Sequence, residues 1–395
     1  MGILRVLLAT AVALSHYIAL PQFSFPFQFF PSSTLSVEIF FIISGFYMAL
    51  ILDTKYTGPG RVKHFYQSRV LRLYPVYLLI VALFLIYNII LRITTGQWIF
   101  IAQIIHVFTV GTAAVKTWMI AANTFLFGQS AFFLFNIDPG TGKACIDCPN
   151  ALPGIFGLTI PQAWSIEVEM LLYIFAPLFV AVRTKVLVPI VLILLAIKAY
   201  LYSFPGFPEF WNFRFPPSEA GLFLLGILSY RLYKHIKEKP FARSKLIKAL
   251  CMLFFAALLL QRYLIRHEYN NIFFYIAAFF AIPLLFCLTK KNKFDREFGE
   301  LSYLIYLIHM FPIGIFTFYT KRESQTPASL LILLAITFAI SYLLHRFFQV
   351  PLDKYRHRLA TGTKSPAQPA EPSLLNEQEG YPAIEQHPAG VGEVE

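Results

Sequence analysis

Charge is scarce in this sequence. Of its 395 residues only 14% are Asp, Glu, Lys or Arg, against about 25% in soluble domains. A chain that is also 57% apolar has too little polar surface to cover itself, which excludes an ordinary soluble globular protein. Acidic residues are the scarcest charged kind, 21 Asp and Glu against 33 Lys and Arg, for a net charge of +12. Six Glu and one Lys lie from Thr361 onward, so the rest of the chain carries +17. No basic stripe with interleaved aromatics lies outside the apolar blocks, so the surplus is not read as a nucleic-acid surface. Cysteine is rare too, with four residues. Cys251 and Cys287 fall inside apolar blocks as small core residues. The chain also lacks a phosphate-binding Gly loop, an HExxH, a GxSxG and an internal repeat. No metal-ligand set is present.

What the chain has is apolar blocks of about 17–22 residues, the length that crosses ~30 Å of hydrocarbon. Mean hydropathy is +0.62, and the 42 Phe and 21 Tyr suit lipid-facing surfaces and interfacial belts. The blocks run Ile3–Leu20, Leu35–Leu52, Tyr74–Leu91, Ala163–Val182, Val186–Tyr202, Ser218–Tyr233, Leu246–Leu264, Ile272–Leu288, Leu301–Tyr319 and Ala328–Val350. They predict an all-α integral membrane fold, a polytopic bundle of about ten transmembrane helices.

Basic loops set the orientation. The segment after the second block carries Lys55, Arg61, Lys63, Arg69 and Arg72, whereas Pro21–Thr34 has no Lys or Arg. By the positive-inside rule the N-terminus is cytoplasmic. Parity then places Arg183–Lys185, Arg231–Lys248 and Lys290–Arg296 inside, which predicts an N-in, C-in topology. Ala11-Val12-Ala13 mimics a signal cleavage site, but the apolar run continues past it, so the first block is read as a span.

Residues 1–358 read as the transmembrane domain and 359–395, rich in Pro, Glu, Gly and Gln, as a disordered cytoplasmic tail. The long region 92–162 faces outward. Its weaker apolar stretches, within 98–135, are either two more spans or a re-entrant hairpin. The same region holds Cys145-Ile146-Asp147-Cys148, read as a local disulfide, with a two-Cys metal site as the minor alternative. The aromatic run Phe23–Phe30 is read either as the rim of an acceptor opening or as interfacial belt.

A charged residue within a span costs about 3 kcal/mol, so each needs a reason. Arg5 and His16 lie eleven residues apart in the first block. That spacing puts them on nearly one helix face, ~16 Å apart along the axis. Glu38, Glu167 and Glu169 fall near the outer ends of their blocks, and Tyr306 and His309 lie mid-span. The expectation is an outer layer of His and carboxylates and an inner layer of Arg5, Arg69 and Arg72. A His beside a carboxylate can deprotonate a hydroxyl, and guanidinium forks grip phosphate. Taken singly, each has a plainer reading: the arginines as positive-inside anchors, His16 as a helix–helix hydrogen bond, Glu38 as a snorkelling interfacial residue.

Several motifs resemble the acyltransferase-3 family of membrane O-acyltransferases. Arg5 and His16 are similar to its Arg/Lys-x10-His element in the first helix. Ser36-Val37-Glu38-Ile39-Phe40-Phe41-Ile42-Ile43-Ser44-Gly45-Phe46 resembles its second-helix signature. Arg69-Val70-Leu71-Arg72-Leu73-Tyr74-Pro75 is similar to its Arg-x-x-Arg-x-x-Pro opening of the third helix. Trp164-Ser165-Ile166-Glu167-Val168-Glu169 with Tyr173 resembles a Trp-Ser-Leu-x-x-Glu-…-Tyr motif, and Leu301-Ser302-Tyr303-Leu304-Ile305-Tyr306-Leu307-Ile308-His309 a Ser-Tyr-x-x-Tyr-x-x-His element. At the last helix Gln349-Val350-Pro351 departs from the family's Glu-x-Pro.

The resemblance implies transfer of an acyl group, usually acetyl, from cytoplasmic acyl-coenzyme A to a hydroxyl of an extracytoplasmic glycan such as lipopolysaccharide or exopolysaccharide. It implies a bacterial inner membrane and no permanently bound cofactor, with acyl-coenzyme A as co-substrate. His16 would be the catalytic base or acyl-handling residue, Glu169 its support and Glu38 its partner. Arg5, Arg69 and Arg72 would hold coenzyme A, with Trp164, Ser165, Tyr173, Tyr306 and His309 supporting. Direct transfer and an acyl-His16 intermediate both remain open, as do the acceptor and the oligomeric state. The competing reading is a transporter or flippase for a lipid-linked sugar, which would be expected to show inverted repeats and interrupted helices in both halves.

Overall fold

The computed structural model describes residues 1–18, 29–56, 60–98, 101–204, 208–265, 271–319 and 326–361. Most of the Phe23–Phe30 run, and the tail beyond Thr361, lie outside the described residues.

The architecture is all-α. The helices are α1 (Gly2–Ile18), α2 (Ser33–Thr54), α3 (Arg61–Thr95), α4 (Ala102–Val110), α5 (Ala113–Phe125), α6 (Trp164–Ala181), α7 (Thr184–Tyr202) and α8 (Pro216–Ile236). They continue with α9 (Lys245–Leu259), the single turn α10 (Gln261–Leu264), α11 (Ile272–Thr289), α12 (Lys293–Ile308), α13 (Met310–Tyr319), α14 (Pro327–Leu344) and α15 (Val350–Thr361). Two π-helical turns, Phe210–Arg214 and His345–Gln349, precede α8 and α15.

The ten apolar blocks fall on helical segments, three of them divided: Leu246–Leu264 between α9 and α10, Leu301–Tyr319 between α12 and α13, and Ala328–Val350 between α14 and the following π-helical turn. Among the described residues, six helices are long and apolar enough to cross a membrane, or seven if the bent pair α12–α13 is one span. The other three blocks fall on α1, of 17 residues, on α9, of 15, and on α8, whose last turns carry Arg231, Lys234 and His235. The chain is a multi-pass membrane protein by these helices. The outward faces agree: Ile86, Ile89, Ile90 and Ile93 on α3, Leu192 and Ile193 on α7, and Leu331 and Ile332 on α14 are all exposed. Apolar surface on that scale is rare on soluble monomers and ordinary where lipid is the solvent.

α2 is apolar on every side and is accordingly central, with 83% of its apolar window buried. Ser32 caps it by accepting the Leu35 N–H at 3.2 Å. Its closest neighbour is α8, and glycine makes that approach feasible. A Cβ on Gly45 would stand 1.9 Å from the Phe223 carbonyl oxygen, and one on Gly226 would stand 2.0 Å from that of Ile42. Small residues at a crossing let two backbones touch, which supplies the packing that lipid does not drive.

The α12–α13 span bends by 46° between Ile308 and Met310, at His309. Pro312 has no N–H for the Ile308 carbonyl, so the helical ladder breaks there. The straight block Leu301–Tyr319 expected from hydropathy is therefore corrected to a bent one, with His309 at the corner.

The region between α3 and α6 folds on itself. α4 and α5 have nine and 13 residues, short of the ~20 that a crossing takes. They pack with a three-stranded sheet, β2–β1–β3 (Ala144–Cys145, Asn136–Ile137, Leu152–Pro153), around Val107, Met119, Phe132 and Ile137. Two additional full spans are therefore not formed here. Cys145 and Cys148 are disulfide-bonded next to β2.

Candidate active site

A cavity of about 160 Å³ opens between α1, α2, α3, α6 and α12. Six Lys or Arg side chains line it (Arg5, Lys55, Arg69, Arg72, Lys290 and Arg296) against three carboxylates, Glu169, Asp295 and Glu300. Cations therefore outnumber carboxylates along its wall, a lining whose chemistry suits an anion. The sequence placed Arg5, Arg69 and Arg72 together, and the structure brings all three to this cavity.

Their arrangement turns on Glu300. Arg72 Nη2 donates to Glu300 Oε2 at 2.8 Å, and Arg5 Nη1 lies 4.0 Å from Oε1. Gln349, from the π-helical turn, donates to the same carboxylate at 3.5 Å. So the position that departs from the family's Glu-x-Pro still reaches the arginine cluster. Arg69 is held differently: Nη2 donates to Ser68 Oγ at 3.3 Å, and Nε is buried with no partner.

Deeper in the cavity Glu169 accepts hydrogen bonds from the hydroxyls of Ser44 and Tyr173 on the same oxygen. Glu169 thus shares a cavity with the arginines instead of forming an outer layer with the histidines, which corrects the expected depth. The neighbouring Glu167 points elsewhere. It accepts the backbone N–H groups of Gly128 and Ser130 at 2.6 and 2.7 Å and ties the chain after α5 to α6. The two carboxylates that competed for one role in the sequence therefore have two.

Ser165 and Tyr306 close the cavity, their hydroxyls 2.6 Å apart. Tyr306 also donates to the Gln162 carbonyl at 2.9 Å. Behind them stands His309, fully buried, with Nδ1 2.7 Å from the Tyr306 carbonyl. A carbonyl can only accept, so Nδ1 carries the proton and Nε2 is left with a free lone pair. That Nε2 is buried and has no protein partner. The ring of His16 packs edge-on against it, with 5.1 Å between centroids. His309 is thus the side chain that meets His16.

Glu38 does not take that place. Its Oε1 accepts from Lys198 Nζ and Tyr202 OH, both at 3.0 Å, and its Oε2 from Tyr275 OH. Lys198 also donates to Glu219 at 2.6 Å and to the Asn212 carbonyl at 2.8 Å. The expected partnership of Glu38 with His16 is corrected to this buried cluster, because α7 and α8 deliver a cation to α2 at that level. Trp164 is buried beside Phe213 at 4.9 Å, with the Arg214 guanidinium 4.7 Å above its ring.

A family model described as an acyltransferase domain, Acyl_transf_3, matches residues 1–346. The chain belongs to this acyltransferase family. The comparison with curated proteins returned no match, nor did the comparison with solved structures.

Sequence reasoning on this acyltransferase missed Glu300, Ser44, Arg214 and the Lys198–Glu219 pair. Lys198 had a signal, being the one Lys in the apolar block Val186–Tyr202, where a charge demands a partner. Ser44 lay inside a quoted signature with no role. Glu300 and Arg214 lie just outside the apolar blocks that begin at Leu301 and Ser218, where charge is unremarkable in sequence.

Proposed function

We propose that the protein transfers an acyl group, most simply acetyl, from cytoplasmic acyl-coenzyme A to a hydroxyl of an extracytoplasmic glycan in a bacterial inner membrane. The observation that carries this reading is the continuous column of side chains through the bundle: the cation-rich cavity, then Glu169 with Ser44 and Tyr173, then Ser165 with Tyr306, then the His309–His16 pair. Arg5, Arg69 and Arg72 suit the phosphates of coenzyme A, which guanidinium forks bind bidentately. The pantetheine arm would run along the cavity and bring the thioester to its Ser165–Tyr306 end. The acceptor would approach from the opposite side, at the histidines.

In this mechanism an imidazole nitrogen removes the proton of the acceptor hydroxyl, and the oxygen attacks the thioester carbonyl. The carbon–sulfur bond breaks, the coenzyme A thiolate leaves, and the imidazolium returns the proton to it. His16 is the base expected from the sequence. His309, whose Nε2 lone pair is free, supports it or shares the proton. Positioning two bound reactants in one bundle supplies the orientation such a transfer needs.

Purified protein in nanodiscs tests this with acetyl-coenzyme A binding and acetyl transfer to envelope glycans. Wild type binds and transfers; His16→Ala binds without transferring; Arg69→Ala binds weakly. Absence of acyl-coenzyme A binding in every variant, with movement of a lipid-linked sugar by wild type, overturns the reading.

A further inference from the structure

At the end of the bundle away from the arginine cavity, the turn Phe210–Arg214 holds one cation among aromatic rings. The Arg214 guanidinium lies 3.9 Å from the ring centroid of Phe133, 4.7 Å from that of Trp164 and 5.2 Å from that of Phe213. Trp164 adjoins Ser165, whose hydroxyl meets that of Tyr306, and Tyr306 packs 6.0 Å from His309 between ring centroids, so the turn borders the stretch that holds the histidine pair. A hydrogen bond from Nη2 to Glu209 Oε1 at 2.9 Å completes its surroundings. The Arg214 side chain is 15% exposed and that of Glu209 63%. The carboxylate therefore approaches from the solvent side, while the guanidinium stays fixed against the rings.

The turn is held firmly. Lys198, buried between Glu38 and Glu219, donates to the carbonyl of Asn212 two residues before Arg214. The cluster that replaced the expected Glu38–His16 pair thus anchors the backbone that aims Arg214. π-helical turns concentrate at functional sites because they re-aim one side chain within a rigid element.

We propose that Arg214, with Trp164, Phe133 and Phe213, forms the acceptor subsite, and that it selects a glycan carrying a carboxylate beside the hydroxyl to be acylated. The proposal rests on the acyltransferase reading above. The rings of Phe133, Trp164 and Phe213 hold the guanidinium in place, and a guanidinium fork suits a carboxylate. Glu209 occupies the anion position until the acceptor carboxylate replaces it. An acidic sugar held there presents its hydroxyls toward His16.

The test uses full-length protein in phosphatidylcholine nanodiscs, so that no anionic lipid competes. Two oligosaccharides differing only in a terminal glucuronate or glucose are titrated against intrinsic tryptophan fluorescence, with acetyl-coenzyme A binding measured in parallel. The glucuronate form binds wild type at least ten-fold more tightly than the glucose form. Arg214→Ala removes that preference and leaves acetyl-coenzyme A binding unchanged. Arg214→Lys restores part of it. Glu209→Gln, which removes the competing carboxylate, tightens glucuronate binding several-fold, and this opposite sign cannot come from misfolding. Equal binding of the two sugars by wild type, or a preference that survives in Arg214→Ala, overturns the subsite while acetyl-coenzyme A binding stands. Loss of acetyl-coenzyme A binding in wild type itself is the separate failure of the acyltransferase reading.

Discussion

Two groups of charges in this bundle differ in how tightly they close. At Glu38, Lys198 and Glu219 the one cation touches both carboxylates, at 3.0 and 2.6 Å, and the side chains are at most 2% exposed. Around Arg5, Arg69 and Arg72 six cations meet three carboxylates and the space between them is open. A closed, paired cluster fixes the relative position of helices, since breaking it leaves a charge in hydrocarbon. An open one leaves room for a ligand. The sequence signals of the two are alike, a charged residue in an apolar block, and only the surroundings tell scaffold from site.

Substitutions separate the two roles, and the histidines beyond the open cavity carry the largest effect. His309→Ala or His16→Ala is expected to lower acetyl transfer by about 10²–10⁴-fold, with acyl-coenzyme A affinity unchanged when both are measured on one preparation. Transfer at the wild-type rate in either variant removes that imidazole from the chemistry.

Lys198→Met attacks the closed cluster. It strands two carboxylates and should cost about 3–5 kcal/mol of stability, read as a lowered melting temperature in detergent. Adding Glu38→Gln and Glu219→Gln should recover most of that loss, because the stranded charges go with the lysine. A Lys198→Met protein that melts like wild type would show the cluster to be no scaffold.

Arg69→Ala is the converse case. Its loss removes the hydrogen bond to Ser68 but strands no opposite charge, so stability should fall little, while acyl-coenzyme A binding weakens about 10–100-fold. A large fall in melting temperature with unchanged binding would exchange the roles of the two groups. A smaller effect of opposite sign is expected for Glu300→Gln. Releasing Arg72 and Arg5 from their carboxylate should tighten acyl-coenzyme A binding about two- to five-fold, an effect that fades with added salt. Smallest of all, Cys145→Ser opens the staple of the outer loop and should change transfer by no more than about two-fold, measured with and without reductant.

The sequence by itself determined the membrane class, the apolar segments that became helices, and the neighbouring placement of Arg69 and Arg72 on α3. These follow from properties local to one segment: twenty apolar residues must form a helix in lipid because no water can satisfy a bare backbone, and spacing along one helix settles which of its residues share a face. Tertiary structure decided the partners. Glu38 and Glu169 are both single carboxylates in apolar helices. One met Lys198 and closed into a scaffold; the other met Ser44 and Tyr173 at a cavity. His309 became the neighbour of His16 through a bend at Pro312 and the approach of α12 to α1, and the turn carrying Arg214 was aimed by a lysine fourteen residues upstream of the carbonyl it holds. A side chain's role in lipid depends on which helix faces it, and that is a property of the packed bundle, to which helix periodicity is blind.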